Sequence, residues 1–152
     1  MKIILGVLAV ALTLNVCAAS DKDIVAMTIL AEARGEGEEG MYAVAAVIAQ
    51  RALNRQLSPR KVCLQNGLNK RGVRVWQFSC WNSGKGLRHL LQVPQAKYAL
   101  RLAECLTNNI KGIDRSYVGY ADHYHNNKVK PSWSNINKKT KIINNHIFYK
   151  LR

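Results

Sequence analysis

Acidic side chains are scarce in this sequence, nine against 23 Lys and Arg, so the 152 residues carry a formal charge of +14. Five of the nine, Glu32, Glu36, Glu38, Glu39 and Glu104, fall in two stretches of helical character, which leaves the rest of the surface strongly basic. Such a surface implies a polyanionic partner without naming it, because nucleic acid, anionic lipid and peptidoglycan with its peptide carboxylates all present arrays of negative charge. Long apolar runs are missing too. The run over residues 3–14 falls short of the roughly 20 residues that cross a bilayer. Led by Met1-Lys2 and followed by small residues around Val16-Cys17-Ala18-Ala19, it reads as a signal peptide over residues 1–19. The expected localisation is therefore export to the periplasm, cell wall or outside, with no stable membrane insertion after cleavage and no nucleic acid as partner. A retained weak anchor stays open, while lipidation at Cys17 is disfavoured by Val16, where such motifs carry a small residue.

Cysteine is sparse. Beyond the leader only Cys63, Cys80 and Cys105 remain, an odd number that permits one internal bridge at most. Cys63 and Cys80 enclose a loop-like stretch that a bridge would restrain, but all three also fit as small buried hydrophobes, Cys105 above all, because it lies on a helical apolar pattern. No spacing resembles a four-ligand zinc site, and no metal or cofactor is expected. No repeat, low-complexity tract or linker divides the chain, so residues 20–152 are expected to form one domain.

Nearly half of the residues are apolar, enough to build a core. Ser20 with Asp23 three residues on makes a capping-box start for a helix over residues 21–34, with Gly35 as its C-terminal cap. A second, well-buried helix is expected over residues 38–54, and Ser58-Pro59 opens a short third reaching Val62. Residues 64–87 show no sustained period and read as a long functional loop. Ala96, Ala99, Leu100, Ala103 and Leu106 recur at helical spacing within residues 94–107. Beyond Gly112, residues 120–124 and 147–149 are the strand candidates. The fold class implied is α+β, mainly helical, with a small antiparallel sheet in the C-terminal third.

Glu32 leaves its helix on the face of Val25, Thr28 and Ile29, where a carboxylate is poorly solvated, and it lies in the last turn, where the helix dipole opposes a second negative charge. Both effects favour the protonated form that a leaving oxygen needs as its acid. Arg34 points about 200° away and is a poor partner for it. Glu36, Glu38 and Glu39 read as a solvated first turn of the second helix.

The run Ala31-Glu32-Ala33-Arg34-Gly35-Glu36, with Gly40, Val44-Ala45-Ala46-Val47-Ile48 and Asn54-Arg55, resembles the opening signature of the SleB/CwlJ-type cell-wall hydrolases of spore-cortex lysis. Gln77-Phe78-Ser79-Cys80-Trp81, His123-Tyr124-His125-Asn126, Pro131 with Trp133, and Asn145-His146 with Phe148-Tyr149 follow in the family's order. The resemblance implies a catalytic domain with a lysozyme-like helical lobe, and a monomer is expected. Such a domain takes peptidoglycan as partner and cuts between N-acetylmuramic acid and N-acetylglucosamine, with Glu32 as acid/base. It also implies substrate binding by Gln77, Phe78, His123, Tyr124, His125, Asn126 and Trp133. The sequence departs from the family at Ile143-Asn144-Asn145-His146, where Ile-Gly-Asn-His is usual, but Asn tolerates a left-handed backbone.

Most glycosidases use two acids. After Glu39 the chain offers only Glu104 on a helix, Asp114 in a turn and Asp122 beside the His-Tyr-His run. Asp122 is the best second candidate. Without it, a one-carboxylate route remains, in which the sugar's own 6-hydroxyl replaces water, as in a lytic transglycosylase. In an extended segment His123 and His125 face one way and Tyr124 and Asn126 the other, and the sequence leaves open which pair lines a cleft. His123 and His125 with His146 would instead suggest a zinc N-acetylmuramoyl amidase. A noncatalytic basic murein-binding module is the third reading. Trp76, Trp81 and Trp133 are candidate sugar platforms or core residues.

Overall fold

The computed structural model of the chain describes residues 18–152, so the expected leader lies outside the described residues except for Ala18 and Ala19. Helix α1 (Asp21–Ala33) opens on the anticipated capping box: the Ser20 hydroxyl accepts from the Asp23 N–H at 3.1 Å, and the Asp23 carboxylate accepts from the Ser20 N–H at 3.3 Å. Ser20→Ala removes the first of these bonds and is expected to lower stability by about 1 kcal/mol in thermal or denaturant unfolding. An unchanged midpoint would show that the cap contributes nothing in solution.

Apolar on nearly every side, α1 has to be surrounded, and it is. Val25, Ala26, Ile29 and Leu30 have no exposed surface, and the helix packs against α2 (Gly37–Arg55), α3 (Pro59–Cys63) and α4 (Ala96–Asn108). The corner between α1 and α2 differs from expectation. A 3-10 turn, Arg34–Glu36, follows α1, and the positive φ of 70° falls at Gly37 rather than Gly35. The approach is close enough that a Cβ on Gly40 would stand 2.2 Å from Glu36 Cβ. Helix α2 is buried through its Ala/Val/Ile middle, and α3 begins with the expected Ser58 cap ahead of Pro59. In α4, Ala96, Ala99, Leu102, Ala103 and Leu106 form the inner stripe.

The stretch read as a loop contains a hairpin, β1 (Asn66–Leu68) and β2 (Arg74–Trp76), with Asn66 opposite Trp76. Five of its six residues are exposed, so no burial period marks it in the sequence. The C-terminal sheet is antiparallel in the order β3 (His123–Asn126), β5 (His146–Tyr149), β4 (Lys139–Ile143). The first strand starts three residues later than expected, because Gly119 and Tyr120 turn the chain with φ of 62° and 58°. Strand β4 went unanticipated: its first four residues are exposed, and it forms the edge beside β5. Asn144 takes φ 49° in the β4–β5 turn, the conformation that its replacement of Gly requires. The α+β class holds. All three described cysteines are free thiols, Cys63 buried, Cys80 and Cys105 half-buried.

Candidate active site

Half-buried at the C-terminal end of the central helix, Glu32 receives two donors from distant segments. The Tyr124 hydroxyl of β3 donates to its Oε2 at 2.8 Å, and the Cys80 backbone N–H donates to its Oε1 at 3.3 Å. One turn earlier, Thr28 donates to the Ile24 carbonyl at 2.8 Å and accepts from Trp81 Nε1 at 3.2 Å, which fixes the 3-10 segment Ser79–Ser83 against α1. Arg34 turns back to the Leu30 carbonyl instead of pairing with Glu32, as its angular position required.

The phenol and the two thiols beside this carboxylate are held neutral. Burial, reinforced by the negative charge of Glu32 and by the hydrogen bond to it, holds the Tyr124 phenol well above its ordinary range, so it stays a donor. Burial pushes the Cys63 thiol up to about 12. It raises the Cys80 thiol as well, with Glu32 adding to the effect. Neither sulfur is a nucleophile near neutral pH, since the thiolate is the reactive form.

The other carboxylates are occupied or remote. Asp122 is buried, which opposes its charge, yet its pKa is lowered because three donors converge on it: His123 Nδ1 at 2.8 Å, Leu151 N–H at 2.9 Å and Arg152 N–H at 3.0 Å. It pins the C-terminal residues to the start of β3. Glu36 is not the solvated helix turn expected of it. Its carboxylate accepts from Asn145 N–H at 3.0 Å and Asn145 Nδ2 at 3.1 Å, and its carbonyl accepts from Asn144 Nδ2 at 2.8 Å. Burial works against the Glu36 anion, but the Asn145 bonds and nearby His146 outweigh it and its pKa is lowered. Asp114 caps the 3-10 turn Arg115–Val118 through Ser116, and Glu104 is exposed on α4.

The register of β3 on β5 settles which pair faces Glu32. Tyr124 lies opposite Phe148 and Asn126 opposite His146 on the helix-facing side, whereas His123, His125, Ile147 and Tyr149 share the other face. There His125 bonds to the Tyr149 hydroxyl at 3.1 Å, and Trp133, 37% exposed, stands edge-on to His123, His125 and Tyr149. His146 is therefore across the sheet from His123 and His125. Among the described residues no group of three or more His, Cys, Asp or Glu is placed to hold a metal ion.

Of the substrate-binding candidates, Tyr124 alone is bonded to Glu32. Phe78 is buried in the core, with the Arg51 guanidinium 5.0 Å from its ring centre. Gln77 is exposed and accepts from Arg55 at 2.9 Å, Arg55 also bonding Gln65. Asn126 caps the turn after β3 through the Lys128 N–H. His123, His125 and Trp133 border a second region, which includes a cavity of about 640 Å³ lined in part by His125 and Tyr149.

Compared with known families, residues 35–149 match Cell Wall Hydrolase. The chain belongs to that family. No curated protein and no solved structure matches the chain. The matched span of this cell wall hydrolase starts three residues after Glu32, so the weight given to Glu32 rests on its geometry. Two contributors escaped the sequence reading. Arg51 is one of them, and a charge between Ala49 and Ala52 in a well-buried helix is the signal in the sequence that could have found it. The Cys80 N–H is a backbone group and leaves no signal in residue identity.

Proposed function

We propose that this cell wall hydrolase cleaves the glycan strand of peptidoglycan between N-acetylmuramic acid and N-acetylglucosamine, as a lytic transglycosylase with Glu32 as its single acid/base. One observation carries the reading. Glu32 is oriented by Tyr124 and by the Cys80 N–H beside a neutral phenol and two neutral thiols, while the nearby carboxylates of Asp122 and Glu36 are spent on holding the fold.

In this mechanism protonated Glu32 gives its proton to the oxygen that links muramic acid C1 to the glucosamine ring, and the C1–O bond breaks with its electron pair leaving on that oxygen. The Tyr124 hydroxyl and the Cys80 N–H stabilise the carboxylate so formed. The muramic acid 6-oxygen then attacks C1, and Glu32 takes the 6-hydroxyl proton, which regenerates the acid. No water is consumed, and no second carboxylate is needed to activate one.

Purified sacculi supply the test. The enzyme is expected to release soluble glycan fragments that still carry their peptides. Release of free peptides from uncut glycan would contradict the reading and point to amide-bond cleavage.

We further propose that the enzyme is exported and meets the wall through its charge, which is +13 once Lys2 leaves with residues 1–19. Lys138, Lys139, Lys150 and Arg152 gather around one cavity of about 300 Å³ beside the sheet. Binding to sacculi is expected to weaken steeply between low and high salt in a pull-down, because screening shortens the reach of exposed charges to about 8 Å at physiological ionic strength. Salt-independent binding would assign the affinity to sugar stacking. No helix of the described residues is long and apolar enough to cross a membrane.

A further inference from the structure

Arg51 lies in the interior of α2 with 6% of its surface exposed, and it forms no ion pair within 4.0 Å among the described residues. Its Nε donates to the Asp122 carbonyl at 2.7 Å, its guanidinium stands over the Phe78 ring at 5.0 Å, and its Nη1 is buried without a hydrogen-bond partner. Leaving a buried cation so incompletely paired costs stability. Its two anchors have a common feature. Asp122 is two residues before Tyr124, and Phe78 is two residues before Cys80. Arg51 thus fastens both segments that bring donors to Glu32, and Glu32 and Tyr124 are within its electrostatic reach.

We propose that Arg51 is the positioning residue for the Glu32 acid: it ties the Asp122–Tyr124 and Phe78–Cys80 segments together and sets the positive field that Glu32 meets when it gives up its proton. The inference rests on Glu32 being the acid. Asp122, Tyr124, Cys63, Arg55 and Glu32 are the charged or titratable groups around Arg51, and Arg51, Tyr124, Cys80, Cys63 and His146 are those around Glu32. The phenol and both thiols are pushed up mainly by burial, His146 is lowered mainly by burial, and Asp122 is lowered by its donors against its burial. Arg55, also lowered by burial and like charge, stays cationic throughout the range.

The test is the pH dependence of muropeptide release by the mature chain carrying Arg51→Met or Arg51→Lys, with folding checked by circular dichroism. Removing the buried positive charge from beside the site is expected to move the alkaline limb of the R51M activity profile up by about one pH unit. R51K keeps the charge and loses the guanidinium geometry, so its rate is expected to fall while its limb stays at the wild-type pH. An unmoved limb in folded R51M overturns the proposal and leaves Arg51 a structural strut. If R51M does not fold, R51K decides, since a displaced limb there would show that the charge is not what acts. Glu32→Gln run in parallel separates the two failures: full activity in that variant removes the acid assignment itself, whereas an inactive E32Q with an unmoved R51M limb removes only the role of Arg51.

Discussion

Glu32→Gln is expected to reduce muropeptide release by about three orders of magnitude, within the range set by loss of a general acid, while the fold and binding to sacculi persist. The amide occupies nearly the same volume as the carboxyl. Its oxygen still accepts from one of the two donors, and the Tyr124 hydroxyl can rotate to accept from the new NH₂. What is lost is the transferable proton. Turnover within a few-fold of wild type, measured on protein with an unchanged melting profile, would take Glu32 out of the chemistry.

Replacement of Asp122 should strike stability. Asp122→Ala leaves His123 and the N–H groups of Leu151 and Arg152 without their shared acceptor. Hydrogen bonds to a charged group contribute about 1.5–3 kcal/mol, so a total loss of about 3 kcal/mol is expected, read as a shifted denaturant midpoint. Because the folded Asp122 pKa is depressed below its ordinary value of 3.8, its contribution is complete above that value and fades as the pH falls through the lower folded pKa. Acid unfolding of the variant should accordingly be less steep over that window than that of the wild type. Activity per folded molecule is expected to survive within about tenfold, far short of the loss from removing an acid or base. A loss equal to that of Glu32→Gln in folded protein would instead establish a two-acid hydrolase.

The elements legible in the sequence are those whose causes are local. Ser20 with Asp23 and Ser58 with Pro59 announce their helices because a cap and its partner lie within one turn, and α4 shows its buried stripe because burial there follows the helical period. Strand β4 stayed hidden because Lys139, Thr140, Lys141 and Ile142 are all exposed and its pairing comes from β5. Tyr120 looked like a strand residue by type, yet it takes a left-handed turn beside Gly119. At the site, Glu32 stood out because its apolar face is a property of its own helix. The two-fold alternation at His123–Asn126 was also visible, but the choice of face depends on how β5 lies against it. Glu36 was misread for a similar reason, since its partner Asn145 is 109 residues away. The role of Arg51 depends on Asp122, another pairing across the chain.

The ends of the cut glycan test the account most directly. Soluble muropeptides released from purified peptidoglycan are to be weighed by mass spectrometry, before and after borohydride reduction. Internal attack by the 6-hydroxyl consumes no water, so the fragments are expected to terminate in 1,6-anhydro-muramic acid, one water lighter than hydrolysis products and inert to the reductant. Muramic acid ends that carry the added water and take up two hydrogens on reduction would contradict the account, because water and not the 6-hydroxyl would then be the nucleophile.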